Sequence, residues 1–408
     1  MLHVASSAQA EQLLKDVFGH ARTPEIEIPA SQALGHVLRR DIYATEDVPG
    51  FTRSSVDGYA VQAKDTFGCS DSIPALLNLI GEVEMGAPAP FSIQAGQCAY
   101  VPTGGELPVG SDAMVMIEHT EAYDAGTIGM LKPTAPGAHC IFRGDDVQAG
   151  QLVLEAGCRL RAHDIGALAA MGIPNVMVAK QPLVGVLSTG DEVITPDQTP
   201  TAGQIRDVNG PLLCASAQQA GGKAAFYGIC PDDPKRLTDT LKKMADECDI
   251  VLLSGGTSVG AKDATPRVIE ELGKLHMHGI AIKPGKPTIL GEISGKPIFG
   301  MPGHPAAAYF IFRIFVAPLI DSLMGIKERP EPTFKAMLNQ AIPSNHGREE
   351  CVAVQLKQSE DGLIATPIMG KSGLITLLSQ ADGYLRVPRN QEGLPKGAQV
   401  EIIPFTNS

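Results

Sequence analysis

Apolar and polar positions change rhythm several times along this chain, and each change predicts a different kind of element. Residues 6–20 place Ala10, Leu13, Leu14, Val17 and Phe18 on one helical face, with Ser6 or Ser7 as the cap. Residues 49–140 read as a β-rich module. Short apolar runs (Ala75–Ile80, Cys98–Val101, Ala113–Ile117) alternate there with turns such as Met85-Gly86-Ala87-Pro88-Ala89-Pro90. A strand-and-turn piece follows, then a helix over His163–Met171 that Gly172 and Pro174 end.

From Pro182 to Ile326 the pattern becomes strand, loop and helix repeated. Leu183–Leu187, Ala224–Ile229, Ile250–Leu253 and Ile298–Phe299 read as strands, and Leu212–Ala220, Pro234–Ala245 and the segment from Pro305 as helices. Such alternation predicts a parallel sheet covered on both faces, with its working loops at the carboxyl ends of the strands. The longest apolar stretch, Ala306–Ile320, is broken by Arg313 and Pro318 and predicts a buried helix, not a membrane span. After Pro330-Glu331-Pro332 the chain returns to short strands and turns.

Composition narrows the function classes. The 408 residues suggest two to four domains, and 44 % hydrophobic with 19 % charged residues is ordinary for a soluble globular protein. A net charge of −12 without a long basic run argues against nucleic acid as a partner, though not against a small phosphorylated substrate. Eight scattered cysteines lack a C-x-x-C pair, so free thiols in a reducing compartment are expected. No H-E-x-x-H or signal-peptide pattern occurs, and a cytoplasmic location is the expectation.

The candidate chemistry lies in loops that follow strands. Leu252–Asp263, LLSGGTSVGAKD, is a glycine-rich turn before a helix start, where free backbone N–H groups and a positive dipole end favour an anion. It is neither a Walker loop nor a dinucleotide fingerprint, and locally an anion loop and a tight structural turn both fit. Ser188-Thr189-Gly190-Asp191-Glu192 and Gly300-Met301-Pro302-Gly303-His304-Pro305 should converge with it. Asp191 and Asp263 could serve a hard cation that bridges to phosphate, or simply cap a turn or helix. Lys283 and Lys286 of KPGKP suit fixed phosphate contacts, and also suit a solvated loop. Arg53–Ala60 and Pro102–Ala113 look like turns between strands. His276 and His278 share a face if extended, as a metal pair or as ordinary strand histidines.

Taken together, the ordered set SSVDGYA, TGGELPVGSDAMVMIE, RGDDV, STGDEV, GQIRDVN, SGGTSVGAKD, KPGKP and GMPGHP resembles the MoeA family, the molybdopterin molybdenumtransferases of molybdenum cofactor biosynthesis. The resemblance runs from about residue 5 to the Ser372-Gly373-Leu374 and Ala381-Asp382-Gly383-Tyr384 segments. It implies a homodimer of multidomain α/β plus β chains. Residues 1–48 with 141–178 would form a discontinuous first domain, and 49–140 an inserted β-rich domain. Residues 179–327 would form a three-layer molybdopterin-binding-like α/β domain with a parallel-rich sheet, and 328–408 a C-terminal β-barrel.

The implied reaction joins adenylylated molybdopterin to molybdate (or tungstate) with Mg²⁺ and releases AMP. Its cleft would lie between the third domain of one subunit and the second of the other. Site groups carried over from the motifs are Asp57, Thr103, Asp146, Glu192, Asp232 and Asp263, with Lys283, Lys286, Pro302 and Pro305. Glu192 and Asp263 would hold Mg²⁺. Ser188, Thr189, Gly190, Ser254, Gly255, Gly256, Ser258 and Gly260 would join the lysines around the substrate, and Asp57 and Thr103 would come from the partner subunit. Departures from the usual motifs include Gly105-Glu106, which places an extra carboxylate near the expected oxyanion site, and also Asp145, Gly279, His304 and Ala307. Two other readings stand beside this one: adenylyl transfer to molybdopterin, which needs the third domain alone, and a non-catalytic pterin carrier or scaffold.

Overall fold

A computed structural model describes residues 4–256, 264–327, 331–360 and 362–405. The alternation after Pro182 builds a six-stranded sheet in the spatial order Lys223–Cys230, Leu183–Thr189, Ile250–Ser254, Lys296–Met301, Ile289–Ile293, Lys274–His278. The first four strands run parallel, and Ile289–Ile293 runs antiparallel to both its neighbours, so the sheet is mixed where the pattern predicted a parallel one. Ser294 and Gly295 cause the reversal. Both have positive φ (51° and 75°), and they close a two-residue hairpin in which Ile293 faces Lys296.

Period-two alternation then divides the core. Ile250 and Leu252 face one cluster with Leu213, Ala217, Phe310 and Ile320, while Val251 and Leu253 face another with Leu241, Met244 and Ile269. Helices Asn209–Gln219 and Pro305–Ile311 therefore cover one side, and Pro234–Glu247 and Thr265–Leu272 the other. The segment Pro305–Met324, which continues through a π-helical turn, is long and apolar enough to cross a membrane by composition, yet it packs into this core. Helix Ser7–Phe18 is capped as expected: Ser6 Oγ accepts from Gln9 N at 3.2 Å, and Gln9 Oε1 accepts from Ser6 N at 2.9 Å. Its buried face (Ala10, Leu14, Phe18) joins the same core.

Residues 25–54 run antiparallel to 140–179 in short ladders: Glu25–Pro29 with Asn175–Ala179, Ile42–Tyr43 with Leu152–Leu154, and Arg53–Ser54 with Cys140–Ile141. Between the last two strands the chain makes a separate six-stranded sheet, ordered Ala113–Met116, Gly58–Val61, Gln97–Val101, Ala75–Glu82, Thr127–Met130, Thr120–Asp124. At the C-terminal end, Glu349–Ser359, Gly362–Pro367, Phe334–Leu338, Gln399–Pro404 and Gly383–Val387 pair in sequence, and the last returns to the first to close a five-stranded barrel. Closure leaves no free edge in that ring. Ile282–Lys283 extends it, pairing in parallel with Glu349 and Glu350 and tying the KPGKP turn to the barrel. All eight cysteines are free thiols.

Candidate functional site

Parallel strands bring their carboxyl ends to one edge, where Thr189, Ser254 and Met301 lead into loops. Beneath these loops lies a buried polar knot from the GQIRDVN segment. Ser188 Oγ donates to Asp207 Oδ2 at 2.8 Å, and Asp207 Oδ1 accepts from Gly210 N at 2.9 Å. Asn209 Nδ2 donates to Ser254 Oγ at 2.7 Å and to the carbonyl of Gly303 at 2.9 Å. Thr189 Oγ1 donates to the Ser254 carbonyl at 3.3 Å. Ser188, Thr189 and Ser254 thus lie buried and hydrogen-bonded beneath the loops and outside the lining of the cavity. Asp207 and Asn209 belong to the GQIRDVN motif, whose sequence alone assigns them no role. Their signal was a short polar pair just ahead of a helix start.

Above the knot is a cavity of about 1030 Å³ between the α/β sheet and the barrel. Glu192, Gly255, Gly256, Lys283, Lys286, Pro302 and His304 line one wall. The barrel supplies Arg348, Glu350, Lys371 and Ser372, with an apolar flank that includes Val352, Ile368 and Leu377. Four cations against two carboxylates, in a chain of net charge −12, make this hollow a focus of positive potential. Lys283 Nζ is 2.7 Å from Glu350 Oε1, which fixes its position at the barrel seam. Arg348 and Lys371 escaped the sequence reading, because only closure of the barrel brings them to the strand ends. His304 Nδ1 lies 2.7 Å from Ser372 Oγ, and Ala306 N donates to the Ser372 carbonyl at 3.1 Å. The unusual histidine therefore bridges the two walls. Pro305 opens its helix just behind them.

The acids divide into separate groups. Glu192 folds back over Gly190 (φ 134°), where an added Cβ would lie 2.7 Å from Glu192 Oε2. Asp232 N donates to Asp191 Oδ1 at 3.1 Å. Burial, and then the charges of Asp191 and Glu192, raise the Asp232 carboxyl above its ordinary value. Asp57 and Thr103 meet elsewhere, at the edge of the inserted sheet: Asp57 Oδ1 accepts from Thr103 N at 2.8 Å, and both residues are exposed. Asp146 lies on the ladder module and lines a smaller hollow of about 250 Å³ with Val147, Gln151 and Met171. Neither Asp57, Thr103 nor Asp146 lines the large cavity of the same chain. Glu106 Oε2 accepts from Ala89 N at 2.8 Å, so its carboxylate serves a local turn. Ser258, Gly260 and Asp263 lie outside the described residues. His276 is paired with Glu292 (Nε2 to Oε2, 3.1 Å), and no group of three potential metal ligands occurs among the described residues.

Three family models match the chain in order. They are the MoeA N-terminal region (domain I and II) over residues 5–172, the "Probable molybdopterin binding domain" over 185–322, and the MoeA C-terminal region (domain IV) over 335–405. A molybdopterin molybdenumtransferase of Staphylococcus epidermidis is 30% identical over 94% of this chain and 92% of its own length. One from a Nostoc species is 32% identical over 91% and 86%. A crystal structure of the molybdopterin biosynthesis moeA protein from Pyrococcus horikoshii OT3 superposes with a TM-score of 0.86. It shares 33% identity and covers 98% of this chain and 100% of its own.

Proposed function

The chain belongs to the MoeA family, and on that premise we propose that it transfers molybdenum from molybdate to adenylylated molybdopterin and releases AMP. It is a transferase of molybdenum cofactor biosynthesis. The observation that carries the finer reading is the cavity: a cationic hollow beside glycine-rich strand ends, in an acidic chain, suits a ligand with a pyrophosphate and an oxyanion. Lys283, Lys286, Arg348 and Lys371 would hold anionic oxygens, Gly255 and Gly256 would offer backbone N–H groups, and the apolar flank would take the flat ring system.

The crowding of Asp191, Glu192 and Asp232 fits a hard divalent cation, since carboxylates that repel one another are relieved by one. Glu192, with Asp263, would hold Mg²⁺, whose charge neutralises phosphate oxygens when it is bound. Too few protein ligands converge here for a dedicated cage, so substrate oxygens would complete the shell. Asp57 and Thr103, already joined by a hydrogen bond but absent from the cavity lining, are supplied in this reading by a second copy. A homodimer in the cytoplasm follows from it.

Purified protein incubated with adenylylated molybdopterin and Mg²⁺ should release AMP only when molybdate or tungstate is added. AMP release indifferent to the oxyanion, or ATP consumption with free molybdopterin, contradicts this function.

A further inference from the structure

We propose that Asn209 is a positioning residue for the transfer reaction, acting with Asp207 to fix the loops that carry the ligand groups; the inference rests on the function proposed above. Three strand ends must keep a common register for the loops over them to meet one ligand. The knot supplies that register. Asp207 holds Ser188 at the end of one strand. Asn209 reaches Ser254 at the end of the next, and Gly303 and Pro302 in the loop after the third, through one amide nitrogen at 2.7, 2.9 and 3.4 Å. Gly255 and Gly256 follow Ser254 directly, and Pro302, Gly303 and His304 line the cavity. One planar amide therefore joins both glycine-bearing loops of this wall without lining the cavity itself.

Two further features set this knot apart from ordinary packing. Asn209 is 6% exposed, and its Oδ1 is buried without a hydrogen-bond partner among the described residues. Orphaned acceptors are rare in native cores, and one that persists marks a residue held for its geometry. The donor half of the amide is fully used while the acceptor half is idle. No common side chain of similar size replaces that donor: aspartate presents oxygens to two carbonyls, and serine cannot reach both loops. The backbone is also shaped around the knot. A Cβ on Gly210 would lie 2.4 Å from Asp207 Oδ2, so only glycine lets the helix start approach the carboxylate this closely.

A double-mutant cycle on the full chain tests the proposal. Asn209→Ala and Ser254→Ala should each lower kcat about tenfold, the double variant should fall no further than the worse single, and thermal midpoints should not track the losses. Wild-type kcat in Asn209→Ala, multiplicative losses in the double variant, or losses that follow the thermal midpoint would overturn it. Amide hydrogen exchange separates this from failure of the functional reading. Even if the protein turns over nothing, Asn209→Ala should speed exchange at Gly255, Gly256, Gly303 and His304 and leave the barrel strands unchanged. Unchanged exchange at those four amides sinks the inference.

Discussion

At the carboxyl edge of the α/β sheet, Asp191, Glu192 and Asp232 crowd together, and none of them forms an ion pair among the described residues. At the edge of the inserted sheet Asp57 is also acidic and exposed, but its carboxylate caps the Thr103 amide. Burial and the charges of Asp191 and Glu192 raise the Asp232 carboxyl, whereas Asp57 is satisfied where it stands. An acid that stabilises its loop keeps its place without a ligand. Acids that repel are held by the fold against their own electrostatics, which is the arrangement expected where a cation and a phosphate will later arrive.

The largest effect should come from separating the two edges genetically. Asp57→Ala and Glu192→Ala should each abolish turnover. Coexpressed, they should restore about a quarter of wild-type activity, because a mixed dimer assembles one intact site. No recovery would place both residues in a site built by one chain.

Next in size is Asp232→Asn, which should cut turnover by about 10- to 100-fold and shift the Mg²⁺ dependence to higher concentration. It should not lower the thermal midpoint. The folded-state carboxyl is raised, so the folded protein holds this proton more readily than the unfolded chain does, and ionisation above the ordinary carboxylate range opposes folding. A marked loss of stability would assign Asp232 a structural role instead.

Glu106→Ala should weaken the local turn by about 1 kcal/mol through the lost Ala89 bond while leaving turnover near wild type. Kinetics altered without loss of stability would return Glu106 to the oxyanion site.

The smallest effect is confined to the ladder module. Burial pushes the Asp164 carboxyl up, but hydrogen bonds and charge from Arg161 outweigh it and hold the group below its ordinary value. This stabilisation is present above the unfolded-state value and is lost as pH falls through the folded one. Asp164→Asn should therefore cost about 1 kcal/mol at pH 7, and the difference should shrink steadily as pH falls below the ordinary carboxylate range, as read by urea unfolding.

Much of the α/β module was legible because its signals are local. Pro234 and Gly273 punctuate helices, Ile250–Leu253 is apolar without a break, and Ser6 or Ser7 marks a helix start. The mixed sheet was hidden because Ser294-Gly295 is a weak hairpin signal between two short apolar runs. Barrel closure, and with it Arg348 and Lys371, depends on pairings between residues far apart in sequence. The site motifs were legible as a set through family resemblance, but their division into separate groups was not. A carboxylate in a turn looks the same whether it caps an amide, as Asp57 does, or crowds its neighbours, as Asp232 does.

Hydrogen exchange with and without AMP plus molybdate, in the presence of Mg²⁺, tests most directly where the substrate sits. The account predicts protection at Gly255 and Gly256, across 285–288, at Gly303 and His304, and across 370–374, on both walls of the large cavity. Protection confined to the smaller hollow around Asp146–Val153, or none at the KPGKP turn, would contradict it.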